Sequence, residues 1–172
     1  MLGYIHSADR GVPNAVLGEV ADVLRSQGLR VTGLIQERAP DDGAHPCDMD
    51  LKCLPDGPSF PIAQHLGRGS RGCRMDVGAL EGGVSYVAEQ VAGGADIFIL
   101  NKFGAQEAQG RGFRETIAAA LARGIPVLTV VNPLNIDAFR DFAAGSEQEV
   151  EGEVAAILSW VAAQRVGDQQ AR

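Results

Sequence analysis

The sequence predicts an α/β fold built on a mostly parallel sheet, and three observations predict it. Leu2 to His6 and Leu29 to Ile35 are short apolar or β-branched runs separated by a helical pattern, which makes a strand, helix, strand opening. Asp96 to Leu100 is a further run, too short and too apolar for an exposed helix, and it stops at Asn101 and Lys102 before a polar loop marked by glycine. Pro126 to Val131 repeats the pattern after another helical stretch.

In chain order, the first strand is followed by a polar turn, Ser7 to Val12, and a helix opened by Pro13, with Val16, Val20 and Leu24 on one face and Gly28 as its stop. From Gln36 to Arg74 the pattern dissolves into proline, glycine and charge, too long for a plain connection. Met49 to Leu54 and Phe60 to Gln64 flank the turn sequence Pro55, Asp56, Gly57, Pro58, so an inserted β-hairpin is expected in a region of about 45–66. Val77, Leu80, Val84, Val87 and Val91 then mark a helix capped by Asp76 and ended by Gly93 and Gly94. After the central strand the next helical pattern starts at about Arg111, with Phe113, Ile117, Ala120 and Leu121 facing the core. Two closing helices are expected around Asp137 to Ala143 and Glu147 to Gln164, with a polar, frayed tail beyond Gly167.

At 172 residues and 45% hydrophobic content, the chain is expected to form a single α/β domain with a sizeable core. Its longest apolar runs fall short of the roughly 20 residues of a membrane helix, and Met1 to His6 has no signal-peptide pattern, so a cytoplasmic location and no membrane insertion are expected. A formal charge of −7 argues against a nucleic-acid partner. Arg68, Arg71 and Arg74 crowd a span without acids, which suits a small anion, although three solvated arginines are an equal alternative. Cys47, Cys53 and Cys73 form an odd set without a CxxC pair, and their spacing with His45 and His65 matches no zinc pattern. Whether the three thiols come together is left open.

In an open parallel sheet, ligands sit beyond the carboxyl ends of the strands, which places Asn101, Lys102, Gly104, Gln106 and Glu107 at a site. A Walker A loop is absent, because His6 to Asn14 offers one glycine and no lysine, and no GxGxxG follows the first strand. Ser7, Asp9, Arg10 and Gly11 remain as a weaker anion seat at a helix start. The Asp76 cap puts Gly69 to Asp76 at a second helix start, which brings Ser70, Arg71, Cys73 and Arg74 into a candidate anion wall. Asn101 and Lys102 match the first half of the guanine-reading NKxD motif, but Gly104 stands in place of its aspartate. The same strand end would hold a magnesium-binding acid in a triphosphatase; here only Glu107, or Asp9, is available. His6 could carry a proton, and no nucleophile and base pair emerges.

GSRGCRMDVGAL, ADIFILNKFGAQEAQGRGFRETI and GIPVLTVV, with Cys47, Asp48 and Met49 as a CxM before the hairpin, resemble a bacterial family of unknown function. Its members are small cytoplasmic proteins that are nucleoside-triphosphatase-like and associated with molybdenum transport genes. The resemblance implies a three-layer sandwich of RecA-like, P-loop-like type with both Walker motifs degenerate. It also implies an anion- or nucleotide-binding role in molybdenum or tungsten homeostasis, with molybdate, tungstate, a phosphate group or a nucleotide as partner. Alternatives are a magnesium-dependent nucleoside triphosphatase, the one reading that needs a metal cofactor, and a non-enzymatic adaptor that dimerises through the hairpin.

Overall fold

The computed structural model describes residues 1–8, 12–38, 49–61, 63–64 and 74–170. β1 (Leu2–His6) leads to α1 (Val12–Ser26), which buries Leu17, Val20, Ala21 and Leu24 at helical spacing. Gly28, at φ 81°, takes the left-handed turn that ends this helix and sends the chain into β2 (Val31–Arg38). β3 (Met49–Leu54) and β4 (Ser59–Pro61) form the expected hairpin, closed by Gly57 N–H donating to the Cys53 carbonyl at 3.0 Å. β5 (Ala63–Gln64) and β6 (Arg74–Met75) pair separately, so the hairpin's second strand is shorter than Phe60 to Gln64.

α2 (Val77–Gly93) begins at Asp76, whose carboxylate accepts the Ala79 N–H at 3.0 Å, as the cap predicts. β7 (Ile97–Phe103) follows, then α3 (Ala105–Ala108), α4 (Arg114–Ala122), β8 (Val127–Val131), α5 (Ile136–Ala143), β9 (Glu147–Glu149) and α6 (Val154–Gln170).

The main sheet runs β4-β3-β2-β7-β8-β1-β9, with the hairpin antiparallel at one edge and the other five strands parallel. Ile97 to Leu100 and Val127 to Val131 are buried on both faces, as a strand covered on two sides requires. One face packs Phe98, Leu100 and Val127 against Leu80 and Val87 of α2, Ile117 of α4 and Phe139 of α5. The other packs Ile97, Ile99 and Leu128 against Leu17 and Leu24 of α1 and Ile157 and Trp160 of α6. The result is the three-layer sandwich expected above. Among the described residues no helix is long and apolar enough to cross a membrane.

Several elements differ from expectation. β7 does not stop before Asn101 but continues to Phe103, and its pairing with β8 slips between Leu100 and Phe103, where one extra residue makes a β-bulge. Glu147 to Glu149 is a strand rather than the start of a helix, because it pairs in parallel with Leu2 to Tyr4. Val150, expected on that helix, instead donates its N–H to the Tyr4 carbonyl at 2.8 Å. The last helix runs through Gly167 to Gln170.

At the amino end of β7, Asp96 accepts the Arg30 backbone N–H at 2.7 Å and the Arg30 Nε–H at 3.4 Å. Burial opposes ionisation of this carboxyl, but the Arg30 hydrogen bonds outweigh it and hold the pKa below its ordinary 3.8. A depressed pKa adds stability above the unfolded value, and that stability disappears as pH falls through the folded value. Asp96→Asn is therefore expected to cost less than about 1 kcal/mol at pH 7, because the pair is partly exposed. In urea unfolding measured from pH 7 down to pH 2, the gap between variant and parent should close in acid.

Candidate functional site

β1 connects through α1 toward β2, whereas β8 connects through α5 to β9 on the opposite side, so the loops after β1 and β8 part company. A crevice opens where adjacent connections diverge in this way. It is a cavity of about 450 Å³, and Ser7, Asn14, Gln36, Asn101, Lys102 and Asn132 are its polar lining. Its position is fixed by the chain's own bonds. Ser7 N–H donates to the Val131 carbonyl at 3.1 Å, which ties the β1 loop to the end of β8. Asn132 Oδ1 accepts the Asn135 N–H at 3.1 Å and so shapes the loop into α5.

The bulge brings Asn101 and Lys102 to this crevice by loosening the ladder where it meets solvent. Asn101 is only 8% exposed; its Nδ2 donates to Gln36 Oε1 at 3.1 Å, and its Oδ1 is buried with no partner among the described residues. A buried acceptor without a donor costs about 1–3 kcal/mol, so the site holds unspent hydrogen-bonding capacity. Lys102 is exposed at the same rim and has no carboxylate within 4.0 Å among the described residues. Among the described residues no aspartate or glutamate lines the crevice.

A protein-family model matches residues 2–160 of the chain, and its description is a protein of unknown function, DUF2478. The chain belongs to the DUF2478 family. A curated relative of this DUF2478 chain, the molybdenum import ATP-binding protein ModC 2 of Bradyrhizobium diazoefficiens, is 33% identical over 147 residues. That alignment covers 86% of the present chain but 16% of the relative, so the chain spans a minor part of that protein. Among solved structures, the solution structure of a human cancer-related nucleoside triphosphatase superposes with a TM-score of 0.65 at 16% identity, over 99% of this chain and 98% of that one. The fold of this chain is thus similar to that of the nucleoside triphosphatase, although the sequence after β1 lacks the lysine and hydroxyl of a Walker A motif.

Of the site residues expected from sequence, Ser7, Asn101 and Lys102 meet in the crevice of this DUF2478 chain. Asp9, Arg10, Gly11, Ser70, Arg71 and Cys73 lie outside the described residues, and Arg74 lies in the short β6 strand. The second anion wall that they were expected to form therefore has no described counterpart.

Glu107 needs a correction. It is a buried side chain within α3, 5% exposed, rather than a carboxylate on a loop. Its Oε2 accepts the Gly104 N–H at 2.9 Å and its Oε1 accepts the Phe113 N–H at 3.0 Å, so it fastens the turn after β7 to the start of α4. Gly104 is the N-cap of α3, a helix too short to show a period in the sequence.

Gln36 and Asn14, which sequence reasoning did not select, complete the crevice. Gln36 sits near the carboxyl end of β2, where the same strand-end argument would have found it had the strand been extended past Ile35. His6 ends β1 with an exposed side chain. Cys53 is buried, and burial pushes its thiol up to about 11, which leaves it unreactive at neutral pH. Cys47 lies outside the described residues. Among the described residues no group of histidine, cysteine, aspartate and glutamate could hold a metal ion.

Proposed function

We propose that this chain binds a small anion, or the anionic part of a nucleotide, in the crevice at the carboxyl ends of β1, β7 and β8, and that it serves molybdenum or tungsten homeostasis. The observation that supports this most is the crevice's composition. In a chain of formal charge −7, it presents amides, a hydroxyl and the Lys102 ammonium, with no described acid. Such a lining favours a negative guest, and an ammonium serves as a point charge for it. Molybdate and tungstate are tetrahedral dianions with the shape of sulfate, and the name of the curated relative supports placing the chain near molybdenum import.

The magnesium-dependent triphosphatase reading has less support, since it needs a carboxylate for the metal and Glu107 already holds two backbone N–H groups. Loss of phosphate release in a Glu107 variant would report lost folding rather than lost chemistry. An adaptor that dimerises through the hairpin would have to pair along β4, a three-residue edge ending in Pro61, which is a poor template for another strand.

The test is a thermal-shift and titration series with molybdate, tungstate, sulfate, phosphate, ATP and GTP, each with and without magnesium, since a ligand of the folded state raises its stability by mass action. Lys102→Ala is expected to weaken oxyanion binding about tenfold, the effect of one charged hydrogen bond, and to change stability by less than about 0.5 kcal/mol. Unchanged affinity in this variant would remove the crevice from consideration.

A further inference from the structure

A second cavity, of about 250 Å³, lies on the hairpin side of β7 and shares Gln36, Asn101 and Lys102 with the crevice. Leu34, Leu51 and Leu100, from three neighbouring strands, form its floor, while Leu80 of α2 and Phe113 at the start of α4 face them from the helical layer. The space between the leucines and Phe113 offers water few partners; its shared side offers two amides and an ammonium, and Gln106 and Glu107, whose carboxylate already accepts two backbone N–H groups, complete the polar lining. Opposed apolar walls with a few polar groups among them are the make-up of a pocket for an organic ligand.

We propose that this cavity holds a flat heterocyclic ring whose anionic substituent lies at Lys102, so that the two cavities take one ligand of nucleotide type. The proposal rests on the anion reading of the crevice and narrows it. An inorganic oxyanion would leave the apolar chamber empty, and a purely aliphatic group would leave the Asn101 carbonyl without a donor. A ring bearing an N–H or an exocyclic amine fits between the leucine floor and Phe113 and brings the kind of donor that the buried Asn101 carbonyl lacks. The chamber lies on the β2 side of β7, away from the loop after β1, so the ring and the anion are recognised by different strand ends.

Ala105 is exposed and lines this chamber alone of the two, which allows the chamber to be blocked without touching the core. Calorimetric titration of the full chain with AMP, GMP, free adenine and inorganic phosphate is the test, with Ala105→Trp, Ala105→Phe and Lys102→Ala as variants and circular dichroism to verify folding. The expected result is that one mononucleotide binds about tenfold or more tighter than phosphate, that Ala105→Trp removes this surplus while phosphate affinity is kept, and that Lys102→Ala weakens both. Ala105→Phe should show a smaller loss of the same kind. Equal affinity for nucleotide and phosphate, or nucleotide affinity that survives both Ala105 variants, overturns the proposal and leaves the anion reading intact. Adenine binding without phosphate binding supports the ring chamber and overturns the anion reading of the crevice. Binding of none of the four overturns the ring chamber, and if molybdate and tungstate also fail to bind, the anion reading falls with it.

Discussion

Glu107→Ala is expected to destabilise the chain by on the order of 3–5 kcal/mol, since hydrogen bonds to a charged acceptor contribute about 1.5–3 kcal/mol each and two are lost together. The carboxylate is 5% exposed, so solvent cannot replace it at the Phe113 N–H. The surroundings are also tight: a Cβ on Gly112, which has φ 59°, would lie 3.1 Å from the Glu107 carboxyl carbon. Glu107→Gln keeps one acceptor and turns an N–H donor toward the other amide, so about half to two thirds of the loss is expected. Urea unfolding checks both variants through the midpoint at unchanged slope. A loss under about 1 kcal/mol in Glu107→Ala would mean that the carboxylate does not hold the turn, and its availability to a metal would have to be reconsidered.

Gly33→Ala is expected to be still more damaging. Gly33 lies inside β2 at φ 136°, paired with Leu54 on one side and Ile99 on the other. A Cβ there would sit 2.7 Å from the Ile99 carbonyl carbon, 2.9 Å from its nitrogen and closer still to its oxygen. These are backbone atoms of a central strand buried on both faces, so no side chain can swing aside. The strained backbone and the clash together should cost more than about 4 kcal/mol, a large share of a domain's whole stability. Loss of the cooperative unfolding transition at 37 °C, or failure to accumulate as soluble protein, is the expected observation; a melting temperature within a few degrees of the parent would contradict it.

The fold was largely legible because its central strands are apolar on both faces and short. Ile97 to Leu100 and Val127 to Val131 can be little else, and the helices between them bury residues at regular spacing. Gln148 and Glu149 misled because a short acidic stretch before a long helix looks like a first turn; only pairing with Leu2 to Tyr4 makes it a strand. α3, at four residues, is shorter than any period that could reveal it. For the site, Asn101 and Lys102 were visible as a polar stop after an apolar run. Glu107 was visible as an acid but not as a fastener, because its partners are backbone amides at Gly104 and Phe113, which no side-chain pattern encodes. Gln36 was hidden by the irregular composition that follows it, and Arg74 was grouped with a helix start although it belongs to a two-stranded pair.

The extra residue between Leu100 and Phe103 divides one strand into two regimes. Up to Leu100 every side chain must satisfy a core on one face or the other, so variation there is confined to apolar exchanges. Beyond it Phe103 re-enters the core, while positions 101 and 102 are released from the alternation that rules the rest of the ladder. Chemistry at the tip can therefore drift by substitution without renegotiating the scaffold. A lineage could trade one ligand for another at this spot and keep the same architecture throughout.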